Sequence, residues 1–247
     1  MSAFITMLRL AQSERWSTPD LNDNKRFIFS VLSEVCCAAP GRRELRRSGR
    51  TNSLVGQQVA KTIQSYVSTH RRFRQEIENL AAEFEYEIEF IEGHLVVATI
   101  MRSNDLCLIA FRGTANAYDL SLDAMCWRTI GSSVHAGFQI AALEEQAEVV
   151  QRIGDHRTVF LTGHSLGAAI AAITPEIITA LIGPRTIVAS VFACPRISDR
   201  PCPLVAAKME SFAFKDDLVP SLPSLALGYM DQPYERIIDA AGLPSNA

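Results

Sequence analysis

Residues 158–173 read TVFLTGHSLGAAIAAI, and their order of structures decides the fold. Thr158–Thr162 is a short apolar run that reads as a strand. From Ala168 the chain is Ala-rich and reads as a long helix, which Pro175 should kink or shorten. Between them stands Gly163-His164-Ser165-Leu166-Gly167, a G-x-S-x-G sequence where a strand must turn directly into a helix. Such a turn holds Ser165 in a strained conformation with its hydroxyl at the tip. Gly163 and Gly167 carry no side chain, so strand and helix can approach closely. The helix N-terminus then lies under the serine. The backbone N–H of Leu166 points to where an oxyanion would develop during acyl transfer. The alternative reading of the five residues is an ordinary strand-to-helix loop.

Outward from this stretch, the pattern repeats. YEIEFI (86–91) alternates as a strand, Glu92-Gly93 is a turn, and LVVATI (95–100) is a second strand. LCLIAFR (106–112), IVASVFA (187–193) and ESFAFK (210–215) are further apolar strands. Helical spacing recurs at Val55, Val59, Ile63 and Val67, from about Arg71 to Ala82, and at Ile140, Leu143, Ala147 and Val150. Strands alternating with helices imply an α/β fold, a mainly parallel central sheet with helices on both faces. Residues 1–84 are expected to form a helical segment packed on a core built from 85–247, a single domain overall. The first fifty residues show no clear period.

Composition bounds the function. Apolar residues make up 48% of the 247 and the net charge is −3, which carries no nucleic-acid signature. Residues 1–74 nonetheless hold 13 Lys+Arg against 5 Asp+Glu, a net +8, and the remainder is −11. A basic third of this kind can attract an anionic lipid surface, a peripheral membrane contact. The favoured alternative is a set of solvated helix faces that neutralise the acidic body, with RRELRRSGR (42–50) as a surface run. Cys107 and Cys194 lie in apolar runs and read as small hydrophobes. The six cysteines form no CxxC pair, so no metal or other cofactor is expected. No run of eighteen apolar residues and no convincing leader occur, which makes a cytoplasmic location the expectation.

Four more segments surround the GHSLG motif in order: FRGT (111–114), HAGF (135–138), ACPRIS (193–198) and DDLVPSLP (216–223). Together they resemble the class 3, fungal-lipase-like family of α/β-hydrolases over roughly residues 85–239. The resemblance implies a lipase-like carboxylic ester hydrolase acting on an acylglycerol or other lipid or small ester, with Ser165 as nucleophile. It aligns Thr114 with the hydroxyl residue that completes the oxyanion hole, and Leu166 with the second N–H donor. It aligns Asp217 with the triad acid. A carboxylate beyond a strand's C-terminal end suits that role, and Ser–Asp–His is the expected chain order. The alternative for Asp217 is a loop cap, with Asp216 equally available. Residues 115–134 fall where the family carries its lid, and Asp123 lies in YDLSLDAM, similar to the family's DWLxD.

The pattern breaks at the base. In the family the triad His follows the Asp by several dozen residues. Here thirty residues follow Asp217 and none is His, so the chain is expected to stop before the base. In LGYMDQPYERIID (227–239), Asp231 replaces a second, non-catalytic His of the family. His135 and His164 are structural by the resemblance. His70 reads as helical, His94 as a turn residue, and His156 as lying before a strand at the far end from its catalytic tip. Three readings follow: an ester hydrolase, a catalytically impaired fold that binds a lipid or protein partner, and a truncated product.

Overall fold

The structure, a computed structural model, describes residues 1–37, 71–92, 97–113, 133–144, 146–200, 208–214, 216–231 and 235–238. The six runs become β1 (Glu87–Glu92), β2 (Val97–Arg102), β3 (Cys107–Phe111), β4 (Thr158–His164), β5 (Thr186–Phe192) and β6 (Lys208–Phe214), and a further strand, β7 (Glu235–Ile238), follows. They form one sheet in chain order, β1-β2-β3-β4-β5-β6-β7. The first three pair antiparallel, and β3 to β7 pair parallel. The fold is α/β with a mainly parallel sheet.

The helices are α1 (Ser2–Ser13), α2 (Asp23–Cys37), α3 (71–83), α4 (Ala136–Glu144), α5 (Gln146–Ile153) and α6 (Leu166–Ile182). Parallel strands are joined by right-handed crossovers, and strands laid down in chain order therefore place successive crossovers on the same face. Accordingly α4, α5 and α6 share one face. Their Phe138, Val149 and Ile170 join Ile109, Leu161 and Ala189 of the strands in one buried cluster. The other face receives no crossover helix from the described part of this order, and the N-terminal segment covers it. Phe4, Met7, Leu8 and Ala11 of α1, Ile28, Phe29 and Leu32 of α2, and Ile77 and Ala81 of α3 pack over Leu108, Ala110, Phe160 and Val188.

Polar contacts set the position of this second layer. The Asn22 side chain accepts from the Lys25 backbone N–H at 2.8 Å and so starts α2. The Lys25 side chain is fully buried and donates to the Arg15, Thr18 and Asp20 carbonyls, and to Asp20 Oδ1 at 2.6 Å. Its ammonium also lies 5.5 Å from the ring centroids of Trp16 and Phe160. The Lys25 hydrogen bond holds the Asp20 carboxyl at about 2, below its usual range. Arg26 meets the buried Glu210 of β6 through Nε at 3.0 Å and Nη2 at 3.2 Å. Thus Lys25 is not a solvated charge, while Arg26 does neutralise an acidic residue of the body. The run at 42–50 and the helix read at 53–67 lie outside the described residues.

One local expectation is corrected. The stripe Ile140, Leu143, Ala147 does lie on helices, but Ile140 and Leu143 are 47% and 54% exposed. The face that packs on α6 carries Phe138, Ala141 and Ala142 instead. Small residues let two helices approach closely, and α6 offers Ala168, Ala169, Ala171 and Ala172. Pro175 does not shorten α6, which continues to Ile182. Just before it, the Thr174 hydroxyl donates to the Ile170 carbonyl at 2.8 Å. Cys107 sits fully buried in β3, its thiol pushed up to about 12 by burial, whereas Cys194 lies just beyond β5.

Candidate active site

Ser165 is the junction of β4 and α6, with φ 55° and ψ −122°. A non-glycine residue there stores about 1–3 kcal/mol of strain. The position is the N-cap of α6, where serine ordinarily adopts an extended backbone and uses its hydroxyl to accept a helix N–H. Here the side chain makes no such cap. The backbone is fixed instead. Ser165 N–H donates to the Phe192 carbonyl at 3.0 Å, and its own carbonyl accepts from Ala168 at 2.9 Å and Ala169 at 3.2 Å. Among the described residues no hydrogen bond occupies the hydroxyl of this half-buried residue.

Close backbone approach explains the glycines. A Cβ on Gly163 would collide with the Gly167 carbonyl, and one on Gly167 with the carbonyl of Phe111. A Cβ on Gly113 would lie 2.7 Å from the His164 carbonyl oxygen. The FRG segment at the end of β3 is therefore in contact with the turn at the end of β4. Leu166, 2% exposed, is the first residue of α6. Its N–H has no partner within the helix, as for any first-turn donor. Thr114, Asp123 and the segment read as a lid lie outside the described residues, apart from Ser133 and Val134.

The parallel register pairs His164 with Phe192 and Phe192 with Phe212, so β4, β5 and β6 end at one edge. Asp217 follows β6, with its N–H bonded to the Phe214 carbonyl at 3.0 Å. It stands on the same edge as Ser165, two strands away, a lateral step of about 10 Å. Its Oδ1 accepts from the Val219 N–H at 2.9 Å, at the start of a short 3₁₀ turn, Val219–Ser221. The loop-capping reading therefore holds for one oxygen and leaves the other available. Asp216 is exposed.

The described histidines are engaged elsewhere or end a strand. His135 is fully buried and stacks on Phe138 with centroids 3.9 Å apart. Its Nδ1 accepts from the Phe138 N–H at 3.3 Å, which starts α4. His156 places its two ring nitrogens 2.9 Å from the Ile153 and Ser103 carbonyls, at the opposite end of the strands. A cleft of about 730 Å³ opens there, lined by Tyr86, Arg102, Asn104 and His156, and none of the candidate residues lines it. His164 is exposed at the end of β4, while His70 and His94 lie outside the described residues. Among the described residues no group of three or more side chains could hold a metal, and no helix is long and apolar enough to cross a membrane.

Residues 108–227 match the family model described as Lipase (class 3). Over these residues, just under half of the chain, the sequence is similar to the class 3 lipase family. The matched span runs from β3 past the 3₁₀ turn and includes Ser165, Leu166 and Asp217. Solved fungal lipases share the fold. A mutant form of MDLA from Penicillium cyclopium superposes with a TM-score of 0.58 at 17% identity, over 92% of this chain and 84% of that one. Lipase II from Rhizopus niveus gives 0.53 at 18% identity, over 88% and 82%. The Rhizomucor miehei lipase propeptide complex gives 0.54 at 21% identity, over 67% of this chain and 60% of that one. No curated protein matches the chain.

Sequence reasoning missed two parts of this edge. Ala193, directly after β5, also has positive φ, 49°, and donates to the Phe212 carbonyl at 2.7 Å. Arg196, quoted only as part of ACPRIS, pairs through Nε with Asp231 at 2.6 Å. The second was legible in part, because Asp231 is an acid standing where the family carries His.

Proposed function

We propose that this class 3 lipase relative is a serine hydrolase of lipid or other carboxylic esters. Ser165 attacks the acyl carbonyl, an acyl-enzyme forms, and water releases the acid. Leu166 N–H and Thr114 stabilise the oxyanion, and Asp217 orients the base. The observation that carries the reading is the backbone of Ser165. A serine held at φ 55° with its hydroxyl withheld from the helix cap bears a conformational cost that an ordinary strand-to-helix loop avoids. A substrate bound there rests on a site that contacts lipid, so peripheral lipid contact belongs to the same proposal.

One observation favours a second reading, a hydrolase fold that binds lipid without turnover. None of the three described histidines is hydrogen-bonded to Ser165. The two readings separate in one experiment on the full chain: fluorophosphonate labelling beside p-nitrophenyl butyrate turnover, for wild type and Ser165→Ala. Strong turnover lost in Ser165→Ala establishes the first. Without a base, only a residual of about 10³–10⁴-fold over water remains, and Ser165→Ala changes it little. That result establishes the second. Absence of Ser165 labelling overturns the assignment of the nucleophile.

A further inference from the structure

The connections that lead into β4 and β5 lie at the ends of the strands opposite Ser165. Each delivers an arginine just before its strand, Arg157 before Thr158 and Arg185 before Thr186. Thr158 and Thr186 are register partners, and Thr186 N–H donates to the Arg157 carbonyl at 2.9 Å. The two arginine backbones are thus locked side by side. Both residues line one pocket of about 690 Å³, together with Asp155, Pro184 and Thr186. Among the described residues neither arginine forms an ion pair, with Asp155 or with any other acid. Arg185 Nε is buried without a hydrogen-bond partner, and Nη1 donates to the Pro184 carbonyl at 3.1 Å. A charged donor shut from water without an acceptor is costly, and an acceptor bound beside it removes that cost. Nor does Arg185 serve the end of α6. The last turn of that helix closes through Gly183 N–H on the Thr179 carbonyl, and Arg185 donates to no α6 carbonyl.

The chemistry of the pocket selects its ligand. An arginine fork grips an oxyanion through paired N–H donors, and two forks suit a doubly charged group with several oxygens. Asp155 lines the same pocket and offsets one of the two positive charges, so a monoanion gains little there. The volume exceeds that of a bare phosphate and leaves room for an attached organic group. We infer that Arg157 and Arg185 form a binding site for the phosphate group of a small soluble phosphate monoester, separate from the serine site. Thr158 and His164 are the two ends of β4, about 20 Å apart. A chain resting on a lipid surface by its serine edge holds the arginines that far from the headgroups, which favours a soluble ligand over a lipid.

The full chain is titrated with inorganic phosphate at constant ionic strength, by calorimetry and by its melting temperature. Phosphate is expected to bind and to raise the melting temperature, while chloride at the same ionic strength does neither. Arg157→Gln and Arg185→Gln, each folded by circular dichroism, are expected to weaken binding about tenfold. Arg185→Lys keeps the charge, loses the fork and is expected to weaken it too. Asp155→Asn removes the opposing carboxylate and is expected to tighten binding about threefold. Ser165→Ala is expected to bind phosphate as wild type does. No binding of millimolar phosphate by wild type, an equal response to chloride, or undiminished binding by the two glutamine variants overturns the inference. If an arginine variant does not fold, Asp155→Asn decides, and unchanged affinity in it overturns the inference as well. Flotation with phosphatidic acid vesicles that is lost in the arginine variants would give the phosphate to a lipid headgroup and overturn the soluble ligand.

Discussion

The two faces of the sheet are covered in different ways. On one, α4, α5 and α6 arrive as crossovers, and the short connections from α5 to β4 and on either side of α6 fix where they lie. Their contact with the sheet is almost wholly apolar, down to the alanine face of α6. On the other, α1 and α2 come from the far N-terminus, and no neighbouring strand dictates their position. That layer carries the buried Lys25 cage, the Arg26–Glu210 pair, and a Thr162 hydroxyl bonded to the Phe29 carbonyl at 3.4 Å. Where connectivity sets register, packing suffices. Where it does not, directional polar contacts supply the register that non-directional apolar burial cannot.

The largest expected effect is on the crossover face. Gly167→Ala drives a Cβ into the backbone of β3, and neither side can yield. Loss of about 3 kcal/mol or more is expected, read as insoluble or unfolded protein on expression. A soluble variant with an unchanged melting curve would break the close-approach argument. Next comes the polar face. Lys25→Ala orphans three carbonyls and the Asp20 carboxylate and leaves a cavity. The expected loss is about 3 kcal/mol in denaturant unfolding, with the first forty residues becoming the earliest site of proteolysis. If cleavage instead begins elsewhere, the cage does not set the register of that layer.

A smaller effect of opposite sign is expected at the junction. Ser165→Gly relieves the positive φ and should stabilise by about 1 kcal/mol while removing fluorophosphonate labelling. Destabilisation would mean that the strain reading is wrong. The smallest effect is acid sensitivity. Asp20 has a folded pKa near 2 against 3.8 in the unfolded chain, because Lys25 donates to it. Its contribution is complete above about pH 4 and lost as pH falls toward 2. Asp20→Asn should flatten stability in that window, and identical acid titrations of variant and wild type would remove Asp20 from the account.

The fold was legible where one period dominates. All seven strands except the last stand within about two residues of runs that apolar composition or alternation marks. The α4 face was not legible, because Ile140 and Leu143 look like the buried stripe while alanines are the buried side. Hydrophobicity ranks side chains one at a time, but a helix facing α6 is chosen for closeness of approach, which favours small residues. The first forty residues were equally opaque. Asn22 before Asp23-Asn24-Lys25 is a capping signal, yet a lysine at the heart of a core contradicts every compositional expectation until its acceptors are known.

The sequence by itself determined the strand–turn–helix at Ser165, the glycines that permit it, and the ordered segments that mark the family. These are local requirements, since sterics within five residues leave few solutions. Only the tertiary structure decided that the serine hydroxyl is withheld from its own helix, that Asp217 reaches the same edge two strands away, and that Arg196 holds an uncharged leucine loop beside it. The last two relations join residues 25 to 52 positions apart, brought together by the parallel register. Nothing in the local pattern encodes them, because they exist only once the strands lie side by side.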